Sequence, residues 1–225
     1  MLPQAAAQTG ETGMDRRGFL GTATAAGLWA GMAGAVETVI ASAEADGVNP
    51  ATLKGPIALP KAPIEGLTIA EDLYPTIVPV KRSFPVGSII VISSKHFLYF
   101  IARPGTAIRY GVAVGKAELV FRGKATVSVK KEWPTWKPTE EMVERNPAAY
   151  AKWKDEAMPG GAGNPLGARA LYLFQGATDT AVRIHGTIEP NSIGTSVSNG
   201  CLRMVNEHVI DLYARVQLGA PVTVY

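Results

Sequence analysis

The chain has 225 residues, which suggests one main domain together with additional segments. A hydrophobic content of 47% is sufficient to bury a real core, and 18% of the residues are charged. The net charge is only +3 and no block of Lys or Arg is present, so composition argues against a nucleic-acid-binding arm.

The N-terminal residues have the layout of an export signal. A pair of arginines, Arg16 and Arg17, precedes an apolar stretch rich in Gly and Ala. We interpret residues 1–43 as a twin-arginine-type signal, with cleavage near Ala35 or Ala43 and a start that could be Met14. The alternative is an uncleaved membrane anchor, which the short and weakly hydrophobic stretch disfavours. We therefore expect the protein in the periplasm or cell envelope.

Residues 44–85 are predicted to form a linker or an irregular arm. They contain seven prolines, which break helices and disfavour interior strands. From residue 86 onward the sequence changes to β-branched and aromatic runs, so we place the main domain at residues 86–225.

The main domain is predicted to be mainly β. Short β-rich runs recur along the chain, and the first two form a hairpin. This spacing favours a β-sandwich or barrel with a few short helices over βαβ units. The predicted strands are Ser88–Ile92, Phe97–Ile101, Tyr110–Val114, Ala125–Val129, Ala170–Phe174, Val182–His185 and Val222–Tyr225.

A long segment without strand character, Trp133–Gly163, interrupts these strands. It contains a possible short helix near Thr139–Glu144 and ends in a Gly-rich stretch. Such an excursion in a compact β domain is either a binding loop or lid, or a packed structural insertion. The sequence leaves both open.

One helix is predicted near the C-terminus, beginning at Asn206 as its N-cap. Its apolar positions recur with the spacing of one helix face. They are Val209, Leu212, Tyr213 and Val216. This placement puts Cys201 on the loop that leads into the helix.

Cys201 is the only cysteine of the chain, and an exported protein usually pairs its cysteines. A thiol is a strong nucleophile only as a thiolate, so it needs a base beside it. His185, at the end of a predicted strand, is the candidate base. Residue types alone also allow a small buried Cys and a structural His.

The neighbours of Cys201 suit acyl transfer. Gly200 permits a tight backbone, and the amides of Asn199, Gly200 and Cys201 could form an oxyanion hole. Arg203 supplies a fixed positive charge that could bind a substrate carboxylate.

The stretch IHGTIEPNSIGTSVSNGCLRMVNEHVIDLY at residues 184–213 resembles the signature of L,D-transpeptidases of the YkuD type. NPLGARALYL at residues 164–173 and the Trp-Lys-Pro run at residues 136–138 are similar to segments that precede it in that family. The resemblance covers about residues 86–225. It departs at Asn199, where many members have His.

The resemblance implies a YkuD-like fold and a peptidoglycan L,D-transpeptidase. Cys201 would attack a tetrapeptide stem, release D-alanine and pass the acyl group to an amine. A backbone carbonyl near Gly186 or Thr187 would complete the Cys–His pair, and the donor pocket would be lined by Arg203, Ser198 and Trp136. The acceptor stays open between a second stem, an outer-membrane protein and water. The resemblance also implies that carbapenems would acylate Cys201. We expect a monomer without cofactor or metal.

Two alternatives remain beside this reading. The same site could serve an L,D-carboxypeptidase or another cysteine peptidase, or the domain could be a catalytically silent cell-wall-binding module. A serine hydrolase is disfavoured because no G-x-S-x-G motif is present. Of the other histidines, His96 is interpreted as structural and His208 as exposed, and their spacing suits no metal.

Overall fold

The computed structural model describes residues 57–60 and 64–225. The predicted export signal and the first part of the predicted arm lie outside these residues. Within the described part of the chain, no helix is both long and apolar enough to cross a membrane.

Strands dominate the structure. Of the eleven strands in the described part of the chain, nine form one sheet in the order β1-β4-β3-β2-β11-β6-β7-β8-β10, and β5 pairs with β9. The strands are β1 (Thr76–Pro79), β2 (Ile89–Ile92), β3 (Phe97–Arg103), β4 (Thr106–Gly111), β5 (Val114–Gly115), β6 (Gly123–Glu132), β7 (Arg169–Gln175), β8 (Thr178–His185), β9 (Ser196–Ser198), β10 (Leu202–Arg203) and β11 (Pro221–Val224).

The large sheet curls around one core. Tyr110 of β4 lies near one end of the sheet and Ile184 of β8 near the other, yet both belong to the same buried cluster. An isolated bridge between Ala113 and Arg203 links the chain after β4 to β10. The predicted mainly β architecture with a few short helices is confirmed, and the curl brings distant strand ends to one region.

The helices are α1 (Glu140–Arg145), α2 (Pro147–Tyr150) and α3 (Asn206–Arg215). α1 confirms the helix predicted near Thr139, whose side chain accepts a hydrogen bond from the amide of Met142. The predicted Asn206 cap is wrong, because Val205 occupies the N-cap position and Asn206 is already helical. The Asn206 side chain binds two other backbone groups instead.

Two strand predictions differ from the structure. Within the predicted arm, β1 pairs with β4 as an edge strand, a position that tolerates Pro79 at its end. The predicted strand Tyr110–Val114 is divided, because β4 ends at Gly111 and Val114 pairs with β9 instead. Tertiary pairing, which local sequence does not encode, decides both cases.

Candidate active site

Parallel pairing of β8 with β10 places the candidate base beside the candidate nucleophile loop. Ile184 pairs with Leu202, and His185 pairs with Arg203. Because side chains alternate along a strand, the first pair faces the core and the second shares the opposite face. Cys201 directly precedes β10, so the candidate nucleophile, the candidate base and Arg203 come to one face of the sheet.

His185 is held by backbone groups. Its side chain is only 4% exposed, and Nδ1–H donates to the carbonyl of Gly186 at 2.6 Å. This tautomer leaves Nε2 as the basic atom. Of the two carbonyls suggested by the family resemblance, Gly186 is therefore the one within hydrogen-bonding distance.

Burial sets the pKa of His185. Loss of solvent lowers it to about 4, and the positive charges of Arg203 and Arg183 act in the same direction. The carbonyls of Gly186 and Leu166 oppose this shift because they can accept hydrogen bonds from the imidazolium. The imidazole is consequently neutral at physiological pH.

Cys201 is a half-buried free thiol. Its Sγ donates to the carbonyl of Ala181 at 3.7 Å. Burial raises the pKa of the thiol, whereas the backbone amide of Arg183 and the charges of Arg183 and Arg203 lower it. With a raised thiol pKa and a lowered imidazole pKa, burial favours the neutral forms of both groups over a thiolate–imidazolium pair.

Cys201 lies between two cavities. The smaller, of about 260 Å³, contains both Cys201 and His185, and Arg203 forms part of its wall. The larger, of about 710 Å³, reaches Cys201 from the side of Arg183. Both cavities share Trp136, Met142, Leu166 and Asn199.

Arg203 does not stand alone in the smaller cavity. Its Nη1 lies 2.6 Å from Oε2 of Glu189, a residue that the sequence analysis did not single out. The Glu189 side chain is 65% exposed, whereas that of Arg203 is 21% exposed. The sequence shows a carboxylate four residues after the candidate base. Its proximity to Arg203 could not be predicted, because it depends on the pairing of β8 with β10.

The turn before Cys201 uses its own polar groups. The Ser198 hydroxyl donates to the carbonyl of Cys201 and accepts from the amide of Gly200 at 3.2 Å. Ser198 borders the smaller cavity, but its hydroxyl is committed to this turn. An oxyanion hole that included the Gly200 amide would require that bond to break.

The backbone conformation and the close packing at position 200 require glycine. Its φ is +116°, and a Cβ there would lie 2.9 Å from the carbonyl oxygen of Leu119. The next residue back, Asn199, connects the turn to the inserted segment, because its Oδ1 accepts from Nη2 of Arg145 at 3.1 Å.

Thr187 and Gly186 support the site through backbone contacts. The Gly186 amide donates to the carbonyl of Arg169 at 3.0 Å, so it is part of the sheet. Thr187 is 3% exposed, and its hydroxyl accepts from the amide of Glu189. Its carbonyl accepts from Nδ2 of Asn206 at 3.0 Å, which fixes the chain after the base.

The two remaining histidines lie in different environments. Nε2 of His96 lies 3.0 Å from the hydroxyl of Ser196, in a turn where His96 adopts a φ of 59°. The prediction that His208 is exposed is wrong, because it is fully buried. Among residues 57–60 and 64–225, no group of His, Cys, Asp and Glu is arranged to hold a metal ion.

Comparison with known proteins identifies one family. A model of the YkuD family, described as the L,D-transpeptidase catalytic domain, matches residues 87–224. A candidate L,D-transpeptidase from the ATP synthase region of Fuscovulum blasticum is 36% identical over 107 residues, which are 48% of this chain and 51% of that protein. The candidate L,D-transpeptidase YqjB of Bacillus subtilis (strain 168) is 34% identical over 117 residues, 51% of this chain and 57% of that protein. The chain thus spans about half the length of these curated relatives.

One solved structure is more similar in sequence. A crystal structure named "Probable carnitine operon oxidoreductase caia" from Brucella melitensis is 54% identical and covers 67% of this chain and 92% of its own, with a TM-score of 0.49. The oxidoreductase activity in that name refers to the Brucella protein alone.

Proposed function

Because the chain belongs to the YkuD family of L,D-transpeptidase catalytic domains, we propose that it is a peptidoglycan L,D-transpeptidase with Cys201 as nucleophile and His185 as general base. One observation carries this proposal. Both residues line the same cavity, and Gly186 holds Nδ1 of His185 so that Nε2 is the basic atom.

The first half of the reaction would form a thioester. Nε2 of His185 takes the thiol proton as Sγ attacks the carbonyl of the third residue of a tetrapeptide stem. The new C–S bond forms, the C–N bond to terminal D-alanine breaks, and the imidazolium returns its proton to the leaving amine. A pKa of about 4 makes the buried imidazolium a good acid for that last step.

The second half would transfer the acyl group. An acceptor amine attacks the thioester, the C–N bond forms and the C–S bond breaks. The proton lost by the amine passes through His185 to the thiolate, which restores the thiol. The position of Cys201 between two cavities supports a reaction of two substrates. The proposed acceptor is a second stem peptide, with an outer-membrane protein or water as the other possibilities.

The smaller cavity suits a charged substrate. Arg203 would bind a carboxylate of the stem and Glu189 the ammonium of its diamino acid, since the two side chains already form an ion pair on the cavity wall. Trp136 supplies part of the apolar wall. We propose that the protein performs this reaction as a monomer and without a cofactor.

The test is incubation of the purified protein with peptidoglycan sacculi, followed by mass spectrometry of the released fragments. Release of D-alanine should be abolished in Cys201→Ala and in Cys201→Ser, and retained release in either variant contradicts the proposal. New stem-to-stem links indicate a transferase, tripeptides alone a carboxypeptidase, and cleaved protein a cysteine peptidase. A silent binding module would show none of these, and a carbapenem would not add its mass to Cys201.

We further propose that residues 1–43 export the protein to the periplasm or cell envelope by the twin-arginine route. The basis is the Arg16-Arg17 pair followed by the apolar Gly/Ala-rich stretch. Fused to a reporter that folds before export, this segment should direct it out of the cytoplasm. Export that survives replacement of both arginines by lysine would contradict the twin-arginine assignment.

A further inference from the structure

Strand β8 contains a bulge beside the nucleophile. Tyr172 pairs with Arg183 and Phe174 with Asp179, so only Leu173 of β7 faces Thr180–Val182. Within the bulge Ala181 has a φ of 59°, in the left-handed region that L-residues other than Gly seldom adopt. Such a conformation is strained and persists only where neighbouring groups hold it.

Asp179 supplies those neighbouring contacts. Its Oδ1 accepts from the Ala181 amide at 2.9 Å and from Nη1 of Arg183 at 2.6 Å, and its Oδ2 accepts from Nη2 at 2.7 Å. The Arg183 guanidinium lies over the ring of Tyr172, 4.1 Å from its centroid. One carboxylate therefore fixes both the strained residue and the arginine that ends the bulge.

The bulge presents two backbone groups to the nucleophile. The carbonyl of Ala181 accepts from Sγ of Cys201 at 3.7 Å, a contact that favours the protonated thiol. The backbone amide of Arg183, at the end of the bulge, lowers the thiol pKa and so favours the thiolate. The bulge therefore orients the resting thiol through the Ala181 carbonyl and carries a dipole that favours the reacting anion.

We propose that Asp179 is a positioning residue, which fixes the β8 bulge so that the Ala181 carbonyl holds the sulfur of Cys201 in its reactive place. The inference rests on the proposed function only in taking Cys201 as the nucleophile. It can be measured by alkylation of the thiol, which needs no cell-wall substrate, so it can fail or succeed separately from the transpeptidase assignment.

The test compares two substitutions that remove the same charge. Asp179→Asn keeps an oxygen that can accept from the Ala181 amide, whereas Asp179→Ala removes every contact. The rate of iodoacetamide alkylation of Cys201 at pH 7.5 should fall about tenfold in Asp179→Ala and less than about threefold in Asp179→Asn, as expected for lost hydrogen bonds to a charged group. The pH profile of alkylation should move to higher pH in Asp179→Ala only.

If the negative charge of Asp179 were its only influence, both substitutions would speed alkylation, because Asp179 raises the pKa of Cys201. Equal acceleration of alkylation in both variants would therefore overturn the proposal, and so would two rates equal to that of the unsubstituted protein. Glu132→Ala is the matched control, since it removes the carboxylate of another Arg ion pair in the sheet, 3.1 Å from Arg169, and should leave alkylation unchanged.

A second variant guards against loss of folding in Asp179→Ala. Ala181 is exposed, so Ala181→Val adds no core clash, but a β-branched residue resists a φ of 59°. It should slow alkylation as Asp179→Ala does, whereas Ala181→Gly, which accepts that φ, should retain most of the rate. Equal rates in the Val and Gly variants would also contradict the proposal.

Discussion

At the scale of single residues, the charge states of Cys201 and His185 decide how the reactivity of the thiol responds to pH. Burial raises the pKa of the thiol and lowers that of the imidazole to about 4, so the resting pair is neutral. We expect the alkylation rate of Cys201 to rise continuously from about pH 5 to pH 8 as the thiolate fraction increases. A rate that is already flat over this range would reveal a preformed thiolate–imidazolium pair and contradict the expectation.

His208 makes the fold sensitive to acid. Both ring nitrogens are buried and find no hydrogen-bond partner among the described residues, and burial lowers the pKa to about 4 although Asp211 opposes the shift. Between pH 6.5 and pH 4, His208 is therefore protonated in the unfolded chain but neutral in the folded chain. The free energy of unfolding consequently falls as pH falls. From pH 7 to pH 5 this loss should be about 2 kcal/mol.

The substitution His208→Phe isolates that contribution. It keeps an aromatic ring against Tyr74, whose ring centroid lies 5.9 Å from that of His208, and removes the titrating group. Urea denaturation at pH 7 and pH 5 should show a smaller loss of stability in the variant. Because His185 titrates in both proteins, its effect cancels in the difference. An unchanged pH dependence would mean that His208 is not the acid-sensitive group.

At the scale of elements, the start of α3 holds together two chain segments near His185. Asn206 accepts from the amide of Ala168 at 3.0 Å and donates to the carbonyl of Thr187 at 3.0 Å. Asn206→Asp keeps the acceptor but loses the donor, which leaves the Thr187 carbonyl without this partner. The free energy of unfolding should fall by about 1–3 kcal/mol, and activity should fall further than unfolding explains.

The control for this prediction is Asn191→Asp on the neighbouring turn. There Oδ1 accepts from the amide of Thr68 at an exposed site, and aspartate can keep that contact. Stability and activity in this variant should both stay near those of the unsubstituted protein. If Asn206→Asp behaves like Asn191→Asp, then Asn206 does not fasten the site.

The elements were predictable where local pattern and tertiary environment agree. Runs of β-branched and aromatic residues predicted most strands, and residue chemistry pointed to Cys201 and His185. What failed depends on long-range contacts. Asn206 is a residue type that often caps helices, but its side chain binds the amide of Ala168 and the carbonyl of Thr187 instead. His208 lies at a polar helix start that suggests exposure, but tertiary packing buries it. Glu189 was missed for the same reason, because its ion pair with Arg203 forms only when β8 pairs with β10.

At the scale of the whole molecule, the N-terminal arm is attached to the domain by a charged side chain of α3 and by apolar packing. Arg215 of α3 donates to the carbonyl of Ala58 in the N-terminal arm, and it also binds Asp211. Ile57 and Leu59 pack against the main core. The described part of the arm is therefore attached to the domain instead of lying apart from it.

The inserted segment is attached at the site itself. Trp136 and Met142 line both cavities, and Arg145 donates a hydrogen bond to Asn199, two residues before Cys201. If the segment closes over substrate, Arg145→Ala should weaken this closure and raise KM by about three- to tenfold, the size of one lost hydrogen bond, with kcat nearly unchanged. Thermal unfolding should not change, because the bond is exposed.

Steady-state kinetics on tetrapeptide stems would measure this effect, with Lys154→Ala as a control that removes another cation of the same segment. Shortening residues 139–156 should raise KM more than Arg145→Ala does, since it removes Met142 from both cavities as well as the bond to Asn199. The fold should survive, because none of the helical residues in that stretch is fully buried. If KM and kcat stay unchanged in both variants, the segment is a structural insertion. Its contribution to the cavity wall would then not be needed for substrate binding.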